Sequence, residues 1–300
     1  MKSALKVGVI FALVFLLFNA CKKEDKVGID WLKVMKVGKE AAQQEDKPLV
    51  VYYRTSTIDF CQQMEKEAFQ DEGVISASRD FVWVWIDSDA QESMAMQYGV
   101  IAYPTTIFYS PKGEELARRV GVLSPEELMK AMEGVKAGKN EFGELEKKLS
   151  ADPTNLQLMF NYALALRDRG DTIGARKKFE EIIAADKENK AKFAEKAYLQ
   201  VGVLDFTVGN TNLAIKSFKV IVNKYPQSEL APKALVYMGD AYQMNKDYDN
   251  ALVAYKQVME EYPESVQAGD ADKRIGEMQM LQKTVEAFTG KTEDKDEQGK

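Results

Sequence analysis

Pro48-Leu49-Val50-Val51-Tyr52-Tyr53-Arg54-Thr55-Ser56-Thr57-Ile58-Asp59-Phe60-Cys61-Gln62-Gln63-Met64-Glu65 joins an apolar run, a short polar loop and the start of a helical pattern. Pro48 to Tyr53 reads as a strand covered on both faces, because its apolar residues do not alternate with polar ones. Cys61 falls in the first turn of the following helix. A helix N-terminus favours an anion, so this position is expected to lower a thiol's pKa. The segment holds one cysteine. A lone thiol can form a mixed disulfide with another protein, but it has no neighbour to resolve the adduct.

Working outward, Ile29 to Gln44 has helical spacing, with Trp31, Leu32, Met35, Val37 and Ala41 as its apolar positions. A helix is expected over Phe60–Phe69. Phe81 to Ile86 is a second strand ending at Asp87, and Asp89–Tyr98 a short helix. Tyr103–Tyr109 is a strand entered through Pro104. Ser110-Pro111-Lys112-Gly113 makes a hairpin turn, and Leu116–Val120 returns as an edge strand. Ser124, Pro125 and Glu127 together mark a helix start, as N-cap, first helical residue and capping-box partner. That helix is expected to run to about Met132.

The Cys61 segment, Tyr98-Gly99-Val100 before Tyr103-Pro104-Thr105, the strand Phe81-Val82-Trp83-Val84-Trp85-Ile86-Asp87 and Gly121 together resemble the thioredoxin superfamily. The resemblance implies an α/β thioredoxin-like domain over residues 29–136, a central sheet flanked by helices, with Pro104 as its cis-proline. In its Cys-x-x-Cys motif Cys61 takes the second place and Ile58 the first, where the attacking thiol belongs. Isoleucine cannot attack a disulfide. Asp59-Phe60 replaces a small dipeptide, Thr57 stands where tryptophan is common, and Tyr52 lies where many members bury a proton-shuttling acid. Nucleophile, turn and relay are altered together, which favours a fold kept for binding. Cys61 has two readings: a covered, inert thiol, or a monothiol oxidoreductase that forms mixed disulfides with clients. The groove beside Tyr103 and Pro104 is one in which family members bind extended peptides by backbone pairing.

Residues 153–287 are repetitive. Ala197, Gly202, Ala214, Phe218 and Tyr225-Pro226-Gln227-Ser228 recur 37 residues later as Ala234, Gly239, Ala251, Tyr255 and Tyr262-Pro263-Glu264-Ser265. Ala163, Gly170, Asp171, Ala175 and Phe179 make a looser first copy. The pattern resembles tetratricopeptide repeats, implying an all-α solenoid of about three helix pairs, each dependent on its neighbours for burial. Residues 137–152 are read as a connecting and capping helix. Repeat position implies an inner groove lined by Phe160, Leu164, Arg167, Leu199, Val203, Phe206, Lys233, Val236, Asp240 and Gln243. Phe206 is the most suggestive of these, an aromatic expected to face an open groove. Residues 288–300 are expected to be a disordered tail.

At the other end, Lys2 and Lys6 precede a twelve-residue apolar run, Val7 to Phe18, and then Asn19-Ala20-Cys21. The run is short for a membrane span. Residues 1–20 resemble a bacterial lipoprotein signal peptide, which implies lipidation of Cys21 and a tether over residues 21–28. An ordinary secretory peptide and an uncleaved anchor are the alternatives. The chain of 300 residues carries a net charge of −6 and no histidine. A catalytic triad and a His-containing zinc site are therefore excluded. No basic face accumulates for nucleic acid, and no motif calls for a cofactor or a metal.

These readings converge on a lipid-anchored cell-envelope protein facing the periplasm or cell surface. It would bind protein or peptide partners through a redox-silent module and a repeat groove, as an assembly or chaperone-like scaffold. The domain order is similar to that of a bacterial chaperone–thioredoxin fusion, and the repeats to envelope lipoproteins that assist outer-membrane assembly. Oligomeric state is not readable from the sequence.

Overall fold

The computed structural model describes residues 28–280. The expected signal segment, Cys21, the tether up to residue 27 and the expected tail at 288–300 lie outside the described residues. The chain divides into two compact units between Glu141 and Phe142.

The first unit is built on a five-stranded sheet of order β1-β3-β2-β4-β5. Strands β1 (Trp31–Leu32), β2 (Leu49–Arg54) and β3 (Val82–Asp87) are parallel, while β4 (Thr105–Tyr109) and β5 (Glu115–Val120) run antiparallel to their neighbours. Central β2 is covered on both sides, as its unbroken apolar run requires. Val50 and Tyr52 pack with Trp83 and Phe108 on one face, and Leu49, Val51 and Tyr53 with Val84 and Ile107 on the other. Helices α2 (Asp59–Lys66), α3 (Glu72–Ser78) and α5 (Pro125–Lys136) bring Met64, Val74 and Leu128 to the first face. Helices α1 (Met35–Glu45) and α4 (Glu92–Gln97) bring Met35 and Ala95 to the second.

Two expectations are corrected here. The helix expected from Ile29 begins only at Met35, because Trp31 and Leu32 pair in parallel with Trp83 and Val84. The Trp31 ring lies 5.0 Å from Phe69 and 5.3 Å from Trp83, and this aromatic packing overrides local helical spacing. The helix expected over Phe60–Phe69 ends at Lys66 and passes through a 3₁₀ turn at Ala68–Gln70. A further helix, α3, then starts on Asp71, whose carboxylate accepts from the Val74 N–H at 3.0 Å. The capping box at α5 forms as expected, with Ser124 and Glu127 each accepting from the other's backbone N–H.

Among the described residues the second unit has helices and no strand. α6 (Glu141–Ala151) is followed by three antiparallel pairs: α7 (Leu156–Asp168) with α8 (Thr172–Ala185), α9 (Phe193–Thr207) with α10 (Thr211–Lys224), and α11 (Ala231–Met244) with α12 (Tyr248–Glu261). The pairs close on a recurring contact. A Cβ on Gly202 would stand 2.4 Å from the Phe218 ring, and one on Gly239 would stand 2.4 Å from the Tyr255 ring. Glycine is present because the aromatic knob of the second helix occupies the space of a side chain on the first. Each such ring, with no exposed surface, contributes roughly 2–3 kcal/mol of burial. Residues 266–280 form a further helix, α13. Ala271 and Gly276 lie 37 residues after Ala234 and Gly239, so α13 is the first half of another copy, one that the count of three omits.

Candidate functional site

β2 and β3 end side by side at Arg54 and Asp87, while β4 begins opposite Tyr53 and β5 ends opposite Thr105. The loops at residues 55–58, 88–91, 99–104 and 121–124 therefore meet at one end of the sheet. The Tyr103–Pro104 peptide bond in this group is cis, as the sequence implied. Tyr103 is half-buried and Pro104 buried, and the Pro104 carbonyl accepts from the Gly121 N–H at 2.8 Å.

Cys61 is the third residue of α2 and has no exposed surface. Burial pushes its thiol up, outweighing a hydrogen bond from the Thr55 backbone and the nearby Arg54 charge. The lowering expected from the helix N-terminus is thus overturned. The dipole favours the anion, but burial takes away the water that would solvate it, and this is the larger effect. Beneath it, the Tyr52 hydroxyl lies 3.1 Å from the Cys61 carbonyl and 3.3 Å from Glu65 Oε1, and Arg54 donates to the same oxygen at 3.0 Å. Burial raises the Tyr52 phenol far above its ordinary range, with Cys61 and Glu65 adding to the effect. A phenol so held stays protonated, so it does not replace a proton-shuttling acid.

The residues before Cys61 behave differently. Ile58 is half-buried as the N-cap of α2, Asp59 is exposed, and Phe60 is 61% exposed. The loop before α2 is clamped from the segment that follows β3. The Asp89 carboxylate accepts from the Ser56 N–H at 2.7 Å, from the Ser56 hydroxyl at 2.6 Å and from the Thr55 hydroxyl. The Ser56 hydroxyl is the largest cause, and together these donors hold Asp89 down to about 2. This clamp joins residues 33 apart, and no local pattern announces it. Among the described residues no group of His, Cys, Asp and Glu has the geometry to hold a metal ion, and no helix is long and apolar enough to cross a membrane.

A family model described as a thioredoxin-like domain matches residues 35–136, and one for tetratricopeptide repeats matches 196–228 and 233–265. The chain carries a thioredoxin-like domain followed by tetratricopeptide repeats. No curated protein matches it. Among solved structures, a thioredoxin from Thermus thermophilus is 25% identical, over 36% of this chain and 87% of its own, with a TM-score of 0.34. Mitochondrial thioredoxin 3 from Saccharomyces cerevisiae is 22% identical, over 35% of this chain and 93% of its own, with a TM-score of 0.30. The protein MamA is 19% identical, over 56% of this chain and 94% of its own, with a TM-score of 0.39.

The repeats treat the expected groove residues unequally. Leu199 and Val236 are only 4% and 5% exposed and belong to the core, not to an open groove. Both side chains join one cluster built from both helices of the second and third pairs. Phe206, expected to face the groove, is half-buried, and like Val203 it packs on the same core, its ring 6.4 Å from Tyr237. Leu164 packs on the core of the first pair with Phe160, whose ring lies 5.6 Å from Phe179. Arg167 reaches Gln200 Oε1 at 2.5 Å. Asp240 pairs with Arg274 at 2.6 Å, and Gln243 accepts from the Tyr255 hydroxyl at 3.2 Å. Lys233 is exposed, its ammonium 5.8 Å from the Tyr237 ring centre. Elsewhere in the repeats an opening of about 350 Å³ lies among Arg176, Tyr198, Val201, Asp205 and Leu213. Arg176 and the buried Asp205 form an ion pair in it.

Proposed function

We propose that this chain is a lipid-anchored envelope scaffold whose thioredoxin-like domain binds a segment of another protein without thiol chemistry. The observation that carries the reading is the contrast at neighbouring positions: Cys61 is closed off while Phe60 stands 61% exposed. The exposed ring lies at the sheet end that holds cis-Pro104, and Asp89 fixes the loop that presents it. A rigid aromatic in the first turn of a helix, behind a preordered loop, loses little entropy when a partner covers it. The repeats supply the second protein-binding surface, since tetratricopeptide repeats generally mediate protein–protein contacts.

The monothiol reading requires a reachable thiolate, and burial and the raised thiol both act against it. Labelling the native chain with a thiol reagent, with a Cys61→Ser chain for subtraction, should give reaction at Cys61 only after denaturant is added. For binding, an unfolded client protein should be held equally by wild type and Cys61→Ala, whereas Phe60→Ala should weaken it by about tenfold or more. Turnover of a disulfide substrate that disappears with Cys61→Ser would reject the scaffold reading.

A further inference from the structure

The sheet end around Phe60 has an uneven charge as well as exposed apolar surface. No lysine or arginine occurs from Thr55 to Glu65, from Asp87 to Ser110 or from Gly121 to Glu127. These stretches hold all four loops. Over the same stretches Asp59, Asp89, Glu92 and Glu126 are exposed. Exposed Lys33 lies over the Trp85 ring at 3.7 Å and interacts with Glu65 and Asp87, and two arginines beside the loops are engaged. Arg54 pairs with Glu65 at 3.0 Å, and Arg118 pairs with Glu115 at 2.8 Å while donating to the Tyr98 and Gly99 carbonyls. The apolar part is Phe60, with Ile101, 37% exposed, in the cis-proline loop at the same sheet end.

We propose, resting on the binding role above, that the segment received here is basic: an extended stretch of a partner polypeptide whose apolar side chain covers Phe60 and whose flanking Lys or Arg residues meet Asp59, Asp89 and Glu92. Covering the ring removes apolar area from water, and the carboxylates select the sign of the flanking charge and speed the encounter. The same face of a second copy fits poorly, because it would bring acid against acid. An anionic lipid surface is repelled for the same reason.

The test uses the full chain and two fluorescein-labelled synthetic peptides, followed by anisotropy. Both peptides have the same Leu and Phe positions, one with lysines between them and one with glutamates. The lysine peptide should bind about tenfold tighter or better at low salt, and the gap should narrow as salt is added. Asp59→Asn with Glu92→Gln should cost the lysine peptide about three- to tenfold. Glu260→Gln with Glu264→Gln, exposed on the repeats, should leave its binding unchanged. If both peptides bind equally and Phe60→Ala abolishes both, the charge selection is wrong and the binding role stands. If neither peptide's binding depends on Phe60, the binding role fails and takes this inference with it. An equal loss from the repeat variant would overturn the inference in favour of whole-chain charge.

Discussion

Two junctions in the repeats share one geometry and use opposite chemistry. In the second pair Phe218 stands over Gly202 and stacks on Tyr237 at 5.6 Å, with Val203 beside them. In the third, 37 residues on, Tyr255 stands over Gly239 and its hydroxyl donates to Asp240 at 2.7 Å, while Arg274 pairs with the same carboxylate. Val203, Phe218 and Tyr237 have become Asp240, Tyr255 and Arg274. The difference shows that volume beneath the glycine is what the repeat preserves. The partners across each junction vary freely, provided they vary together.

The comparison breaks most severely where geometry is shared. Gly202→Val and Gly239→Val should each destabilise the chain by about 3 kcal/mol, because the ring has no room to retreat. Urea unfolding should show similar losses at both sites, and a large inequality would mean that the junctions are not equivalent. Next in size is Arg274→Ala, expected to cost about 1–2 kcal/mol, since Asp240 keeps only part of its solvation once the guanidinium is gone. That figure is kept low because the two side chains are 32% and 19% exposed. The triple exchange Asp240→Val, Tyr255→Phe and Arg274→Tyr copies the neighbouring junction and should recover to within about 1 kcal/mol of wild type. If it is no better than Arg274→Ala, the substitution of one chemistry for the other is not self-contained.

Smaller still is Tyr255→Phe, which loses hydrogen bonds but keeps the ring, and should cost about 1 kcal/mol in thermal unfolding. The reverse change, Phe218→Tyr, should cost a similar amount for another reason: Val203 offers its hydroxyl no acceptor. The mildest effect is a contrast with Asp240 in the other unit. Asp89 lies below its ordinary 3.8, at about 2. Its clamp on Ser56 is therefore fully present above pH 4 and is lost as pH falls through about 2. The protection of the Ser56 amide, its intrinsic exchange rate divided by the observed rate at each pH, should fall over that window in wild type and stay level in Asp89→Asn.

The repeat pattern was legible in sequence because each copy carries its own small residue and its own knob. The sheet was legible because β2 is apolar throughout. Trp31 and Leu32 read as helix because two residues cannot show a strand period, and only pairing with β3 makes them a strand. Helix α3 has little sequence signal, because it is seven residues long and only Asp71 announces it. The candidate site was half legible. The lost nucleophile at Ile58 and the cis-proline are local facts. The closed state of Cys61, the clamp from Asp89 and the burial of Leu199 and Val236 depend on neighbours far along the chain. Spacing can put a residue on the face of a helix, but it cannot say whether another helix already lies against that face.

The pairing of Asp240 with Arg274 has a consequence for how such an array can grow. The two halves of that contact are written on different helices, in successive copies. Duplicating or transposing one module alone would therefore deliver a guanidinium to Val203, or a phenol ring to a carboxylate that needs a cation. New copies can be inserted only with their downstream neighbour's matching residue, so the order of the modules in this chain is locked by its seams and not by its loops.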